Sequence, residues 1–129
     1  MGRAPSRQEK VYIVRSDECL IAYYNTVYRR QICIIWYHDG SVYCGEVKDE
    51  MRSGLGMEWI PGISIYYGLY RQNSREGYGM MKYNNEKVYV GMWSMDHYNG
   101  FGKIFNRQGQ MIESGNYRNS SLKIVGDFK

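Results

Sequence analysis

Between Tyr43 and Ile112 short apolar segments alternate with polar ones, and the alternation repeats. The opening segments read YCGEV, YYGLY and YVGMW; the closing segments read GLGMEWI, GYGMMKY and GFGKIF. Tyr-x-Gly starts at Tyr43, Tyr66 and Tyr89 and Gly-x-Gly at Gly54, Gly77 and Gly100, so both recur every 23 residues. Segments this short, bounded by Asp39-Gly40, Pro61-Gly62, Asn84-Asn85 and Gln108-Gly109, are strand and hairpin signals. No window carries a helical period of useful length. A fixed period in this range marks stacked units, none able to bury its apolar side alone. The predicted fold is all-β: a single-layer solenoid of stacked antiparallel β-hairpins, forming a curved, twisted sheet with an aromatic groove.

The repeat divides the chain. Residues 1–10 (MGRAPSRQEK) read as a flexible basic tail and residues 11–129 as the repeat domain. Clear units span 43–65, 66–88 and 89–112. A degenerate unit covers 20–42, where Ala22, Gln31 and Cys33 replace the glycines, and a partial unit covers 113–129. Val11–Val14 before a Ser16-Asp17-Glu18 turn, and KIVGDF from Lys123 to Phe128, read as terminal half-units that close the stack. Within the clear units the polar loops are expected at 48–53, 71–76 and 94–99.

Side chains alternate along a strand, so Tyr43, Gly45 and Val47 share one face and Leu55, Met57 and Trp59 share another set. Pairing Val47 with Leu55 and Tyr43 with Trp59 gathers both sets on one side, and a one-residue slip divides them. That register predicts a groove lined by Tyr43, Trp59, Tyr66, Tyr70, Tyr78, Tyr89, Trp93, Phe101 and Phe105. Gly45, Gly68 and Gly91 then form notches between rings, and Gly54, Gly56, Gly77, Gly79, Gly100 and Gly102 fall on the opposite, thinner face. Rings near the glycines are expected to pack on one another. Trp93 and Phe101, placed at the groove mouth, are the expected partner contacts.

Composition narrows the function classes. A chain of 129 residues holds the repeats and no catalytic domain beside them. The net charge of +4 comes from basic residues scattered through loops, which argues against a nucleic-acid footprint. Cys19, Cys33 and Cys44 are odd in number and show no C-x-x-C spacing, and no apolar leader precedes them, as expected of an intracellular, cytoplasmic protein. The longest apolar run, Ile32–Tyr37, is too short to span a bilayer. His38 and His97 have no ligand-spaced partners, so no metal or other cofactor is expected, and no nucleophile–base set has its signature residues. The Gly-x-Gly pairs lack the lysine and helix of a phosphate loop. Gly2, followed at the right spacing by Ser6, formally fits an acylation site.

Tyr89-Val90-Gly91-Met92-Trp93 followed by Gly100-Phe101-Gly102 and the Gly109 turn resembles the MORN repeat (membrane occupation and recognition nexus). The resemblance covers residues 20–118 and is strongest over 43–112. Where the family places a further loop glycine, this chain has Glu50, Asn73 and Asp96; Asn and Asp reach left-handed backbone readily and Glu does not, so the first loop is expected to turn differently. Choline-binding wall repeats share the composition but lack the Gly-x-Gly. The resemblance implies a non-enzymatic interaction and scaffold module that holds a partner protein segment in its groove, within a cytoskeletal, ciliary or organellar assembly. The alternative is a peripheral membrane adaptor using the basic tail and loops. Open sheet ends also suggest end-to-end pairing of two copies.

Overall fold

The computed structural model describes residues 10–15, 19–25 and 31–123. They form β1 (Lys10–Arg15), β2 (Cys19–Asn25), β3 (Gln31–Tyr37), β4 (Val42–Lys48), β5 (Met51–Ile60), β6 (Ser64–Arg71), β7 (Ser74–Tyr83), β8 (Val88–Ser94), β9 (His97–Phe105), β10 (Met111–Arg118) and β11 (Ser121–Leu122). All are antiparallel, in chain order, in one open sheet. The segment read as a half-unit lies in β1, and the degenerate unit supplies β2 and β3. Lys10, placed in the tail from sequence, opens β1. Gly2 and the rest of the tail, the Ser16-Asp17-Glu18 turn, and residues 124–128 of the expected closing strand lie outside the described residues.

The polar loops are shorter than the sequence suggested. Lys48 pairs with Met51, Arg71 with Ser74, Ser94 with His97 and Arg118 with Ser121, leaving two residues at each tip. Both tip residues have positive φ: Asp49 and Glu50 (52° and 64°), Gln72 and Asn73 (48° and 70°), Met95 and Asp96 (48° and 70°), Asn119 and Ser120 (49° and 67°). These are the mirror-image turns whose twist matches that of the flanking strands. Glu50 therefore does not redirect the first tip; it adopts the same conformation as Asn73 and Asp96, because hairpin twist overrides its residue preference. The second tip residue also clips each hairpin to the previous one. Arg52 N–H donates to Asn73 Oδ1 (2.8 Å) and Asn73 N–H to the Arg52 carbonyl (3.0 Å); Arg75 and Asp96, then Tyr98 and Ser120, repeat the exchange.

Within the β4–β5 hairpin the register is one residue off the expected one at Tyr43, and beyond the bulge Val47 pairs with Arg52 instead of Leu55. Tyr43 pairs with Glu58 instead of Trp59, Cys44 with Met57, and Gly45 with Gly56. The same offset recurs, so that Gly45, Gly56, Gly68, Gly79, Gly91, Gly102 and Gly115 lie side by side across seven strands. Gly56, Gly79 and Gly102 are thus on the tyrosine face and not on the opposite one. The beside-lying row along this face reads Tyr43, Glu58, Tyr66, Met81, Tyr89, Ile104, Glu113. Each tyrosine ring leaves its own row and lies down in the glycine trench.

The two glycines of Gly-x-Gly have separate tasks. The second accepts the ring: a Cβ on Gly79 would sit 2.5 Å from Tyr66 Cζ, and one on Gly102 2.5 Å from Tyr89 Cε1. The first takes left-handed backbone (Gly54 φ 72°, Gly77 φ 93°, Gly100 φ 99°) at a bulge. Opposite that bulge, Glu46, Leu69 and Met92 have no ladder partner on the following strand. Their carbonyls instead accept the hydroxyls of Tyr43 (2.6 Å), Tyr66 (2.9 Å) and Tyr89 (2.7 Å). The bulge creates the acceptor that lets each tyrosine be buried without an orphan hydroxyl.

Two stability predictions follow from these geometries. Glu50→Gly removes a left-handed side-chain penalty of about 1 kcal/mol and should raise the denaturation midpoint; an unchanged or lowered midpoint would contradict the turn. Gly79→Ala should cost about 3 kcal/mol in denaturant unfolding through its clash with the Tyr66 ring. Gly62→Ala, where an added Cβ meets nothing within 4 Å, should cost only the backbone strain of about 1 kcal/mol. Equal losses would mean that the ring contact is not what Gly79 serves.

Candidate functional site

The tyrosine face is a closed seam. Tyr43, Tyr66 and Tyr89 are 0%, 1% and 0% exposed although no second layer covers them. They are sealed by one another's neighbours in an edge-to-face series: Tyr43–Tyr70 (5.3 Å), Tyr70–Tyr66 (5.2 Å), Tyr66–Trp93 (5.3 Å) and Trp93–Tyr89 (5.3 Å). Such geometry sets positive ring edges on negative faces. Tyr98 stacks flat on Tyr89 at 3.7 Å, and Tyr117 closes the far end edge-on. Trp93 Nε1 donates to the Gly79 carbonyl at 3.2 Å.

Two arginines take the place that Tyr98 holds in the third unit. The Arg52 guanidinium lies 5.3 Å from the Tyr70 ring centre, and that of Arg75 5.0 Å from Trp93. Arg52 Nη1 donates to Glu58 Oε2 at 2.9 Å, and Glu58 Oε1 accepts the Tyr70 hydroxyl at 3.2 Å. Glu58 stands where later units have Met81 and Ile104, so its charge requires this pairing. The Tyr83 and Tyr98 hydroxyls are also in contact.

The opposite side of the sheet is open and apolar. One row runs Ile34, Cys44, Met57, Tyr67, Met80, Val90 across six strands. A second runs Trp36, Val42, Trp59, Ile65, Lys82, Val88, and beside them stand the pairs Leu55–Leu69 and Tyr78–Met92. Trp59, Tyr67, Tyr78 and Phe101 are 47%, 51%, 60% and 53% exposed. Trp59 and Ile65 also border a recess of about 250 Å³ between the 60–64 and 83–86 turns.

The nine aromatics expected in one groove are therefore split. Tyr43, Tyr66, Tyr70, Tyr89 and Trp93 belong to the seam, whereas Trp59, Tyr78 and Phe101 lie on the open face, with Phe105 half-buried beside Val88. Trp93, expected at a groove mouth, is 3% exposed and offers a partner nothing. Rings near the glycines do pack on one another. Sequence reasoning did not find Arg52, Glu58, Tyr98 and Tyr117 in the seam, nor Met57, Tyr67 and Met80 on the open face. Parity counted on each strand from its own glycine in the trench, Gly56, Gly68, Gly79, Gly102 or Gly115, would have found them.

No model of a known protein family matches the chain, and no curated protein matches it. Among the described residues there is no group of three or more His, Cys, Asp or Glu able to hold a metal ion, and no helix long and apolar enough to cross a membrane. His97 Nδ1 lies 3.5 Å from Ser120 Oγ at an exposed tip.

Burial disfavours the phenolate throughout the seam. It raises Tyr43, Tyr66, Tyr70, Tyr98 and Tyr117 well above the usual phenol range, with Glu58 adding to the effect at Tyr70. Tyr89 is pushed up to about 12, again by burial, and the Cys33 thiol to about 12. A group that binds its proton more tightly when folded contributes fully below the unfolded value and loses that contribution as pH rises. The protein should thus hold constant stability with respect to these phenols up to pH about 10 and weaken progressively above it. Near-ultraviolet absorbance should show seam tyrosines ionising together with loss of the sheet signal; independent, gradual ionisation without unfolding would show the seam to be permeable.

Proposed function

We propose that this chain is a non-enzymatic protein-interaction and scaffold module of the MORN kind, a solenoid of hairpins, that binds a partner protein through its open apolar face. One observation carries the reading: half-exposed Trp59, Tyr67, Met57 and Met80 adjoin on one continuous surface, while the seam on the other side already supplies a complete core. Contiguous apolar surface of this breadth on a soluble domain marks an interaction site. Support for the solenoid comes from the 23-residue repetition of turn, bulge and tyrosine-on-glycine geometry, which lets hairpins be added without altering the previous one. Incorporation into a larger cytoskeletal, ciliary or organellar assembly follows from the resemblance. Of the residues expected to line the groove, Trp59, Tyr78 and Phe101 remain as contacts on the open face, and Trp93, one of the two expected partner contacts, leaves.

Capture from native extract, identified by mass spectrometry, tests this. Trp59→Ser with Tyr67→Ser should lower recovery of the specific partner at least about tenfold, the loss expected of one aromatic anchor, with the unfolding midpoint unchanged. Undiminished recovery by a native-like double variant would remove the open face as the binding site.

A further inference from the structure

The open face is not neutral. Strand alternation places Lys48, Arg71, Lys82, Lys103 and Arg118 on it, and all five are exposed. Lys82 sits within an apolar row between Ile65 and Val88, and Lys103 extends another row beyond Val90. Strands β3–β10 hold four carboxylates, two of them, Glu46 and Glu76, on the open face by the same alternation, and no ion pair joins any of the four to these five cations, which leaves the face net positive. Glu58 and Glu113 face the seam, where they accept the hydroxyls of Tyr70 and Tyr117. Glu46 Oε2 accepts Leu55 N–H at 2.8 Å and Glu76 Oε1 accepts Met95 N–H at 3.1 Å, each turned to backbone. Glu86 is paired with Arg107 at a turn (2.8 Å), and Asp49 and Glu50 occupy a hairpin tip.

The patch has a long axis. From β3 to β8 it extends about 24 Å across the strands, and its rows cover about 13 Å along them. A helix about 10 Å wide and about 16 residues long has those proportions. Resting on the reading of the chain as an interaction module, we infer that the open face takes an acidic amphipathic helix of a partner protein, laid across the strands. Its apolar stripe covers Met57, Tyr67 and Met80, and its carboxylates meet Lys82 and Lys103. A second copy of this chain fits less well, because two such faces would set cations against cations. A bilayer would press its anionic surface on Asp49 and Glu50 as well.

Two synthetic peptides of about 16 residues, with the same leucine stripe at helical spacing and either glutamate or lysine elsewhere, test the inference on the full chain by tryptophan fluorescence. The glutamate peptide should bind at least about tenfold tighter, weaken with salt, and lose that advantage in the Lys82→Glu, Lys103→Glu variant. Equal binding of the two peptides would overturn the acidic partner while leaving the interaction module intact. Binding of neither, together with partner capture insensitive to Trp59→Ser and Tyr67→Ser, would overturn both. Flotation with phosphatidylserine vesicles in the absence of peptide binding would assign the cations to lipid, and a stable dimer in sedimentation would assign the face to a second copy; either result also overturns the inference.

Discussion

A tyrosine ring lying on two adjacent glycines is the contact from which the rest of this molecule follows. It needs a glycine on its own strand, a glycine directly across the ladder, and an acceptor for the hydroxyl three residues on. Each condition constrains a different level: the first the spacing within a strand, the second the register, and the third the bulge. Complete burial of one ring is worth about 4 kcal/mol at the usual area coefficient. Leaving a Leu or Met half-exposed costs only about 1 kcal/mol. The sheet therefore takes the register that seats the rings, although it leaves Leu55, Met57 and Trp59 facing outward.

The same contact explains how a single layer can have a core. Ordinarily a sheet buries a face against a second element. Here the absent Cβ atoms along seven neighbouring strands open a trench, and the rings lie in it nearly within the sheet. Residues at the equivalent positions Val47, Tyr70 and Trp93, and Arg52, Arg75 and Tyr98, then wall the trench with different chemistry in each unit. An arginine over an aromatic face and a stacked tyrosine are alternative lids for the same seat. Hairpin tips add local fastening: Asn73, Asp96 and Ser120 tolerate or favour left-handed backbone and also present the oxygen that the previous hairpin requires.

One consequence is a division of labour between faces. Stability resides in the seam, where substitutions disturb packing, bulge and hydrogen bond together. The other face contributes no closed packing and can vary in character without unmaking the fold. Its methionines, tryptophan and tyrosines are half-exposed and its lysines exposed, which under the proposed function makes them adaptable contacts and a source of direction for a partner.

Much of this was legible from residues alone. The 23-residue spacing of Tyr-x-Gly and Gly-x-Gly, the turn dipeptides and the absence of helical periodicity specified an all-β run of hairpins and located most strands. They did so because turn chemistry and period are local properties of the chain. Glu50 was misread because its own preference is local while the twist demanded of its hairpin is not. The face of each aromatic was decided only in three dimensions. Side chains alternate strictly, so one bulge and one step of register exchange every residue between sides, and the choice was made by the fit of Tyr43, Tyr66 and Tyr89 onto paired glycines from neighbouring strands. Hydrophobic pattern determined that there would be a sheet with rings on it; which rings close the core and which remain exposed depended on backbone contacts that no single strand contains.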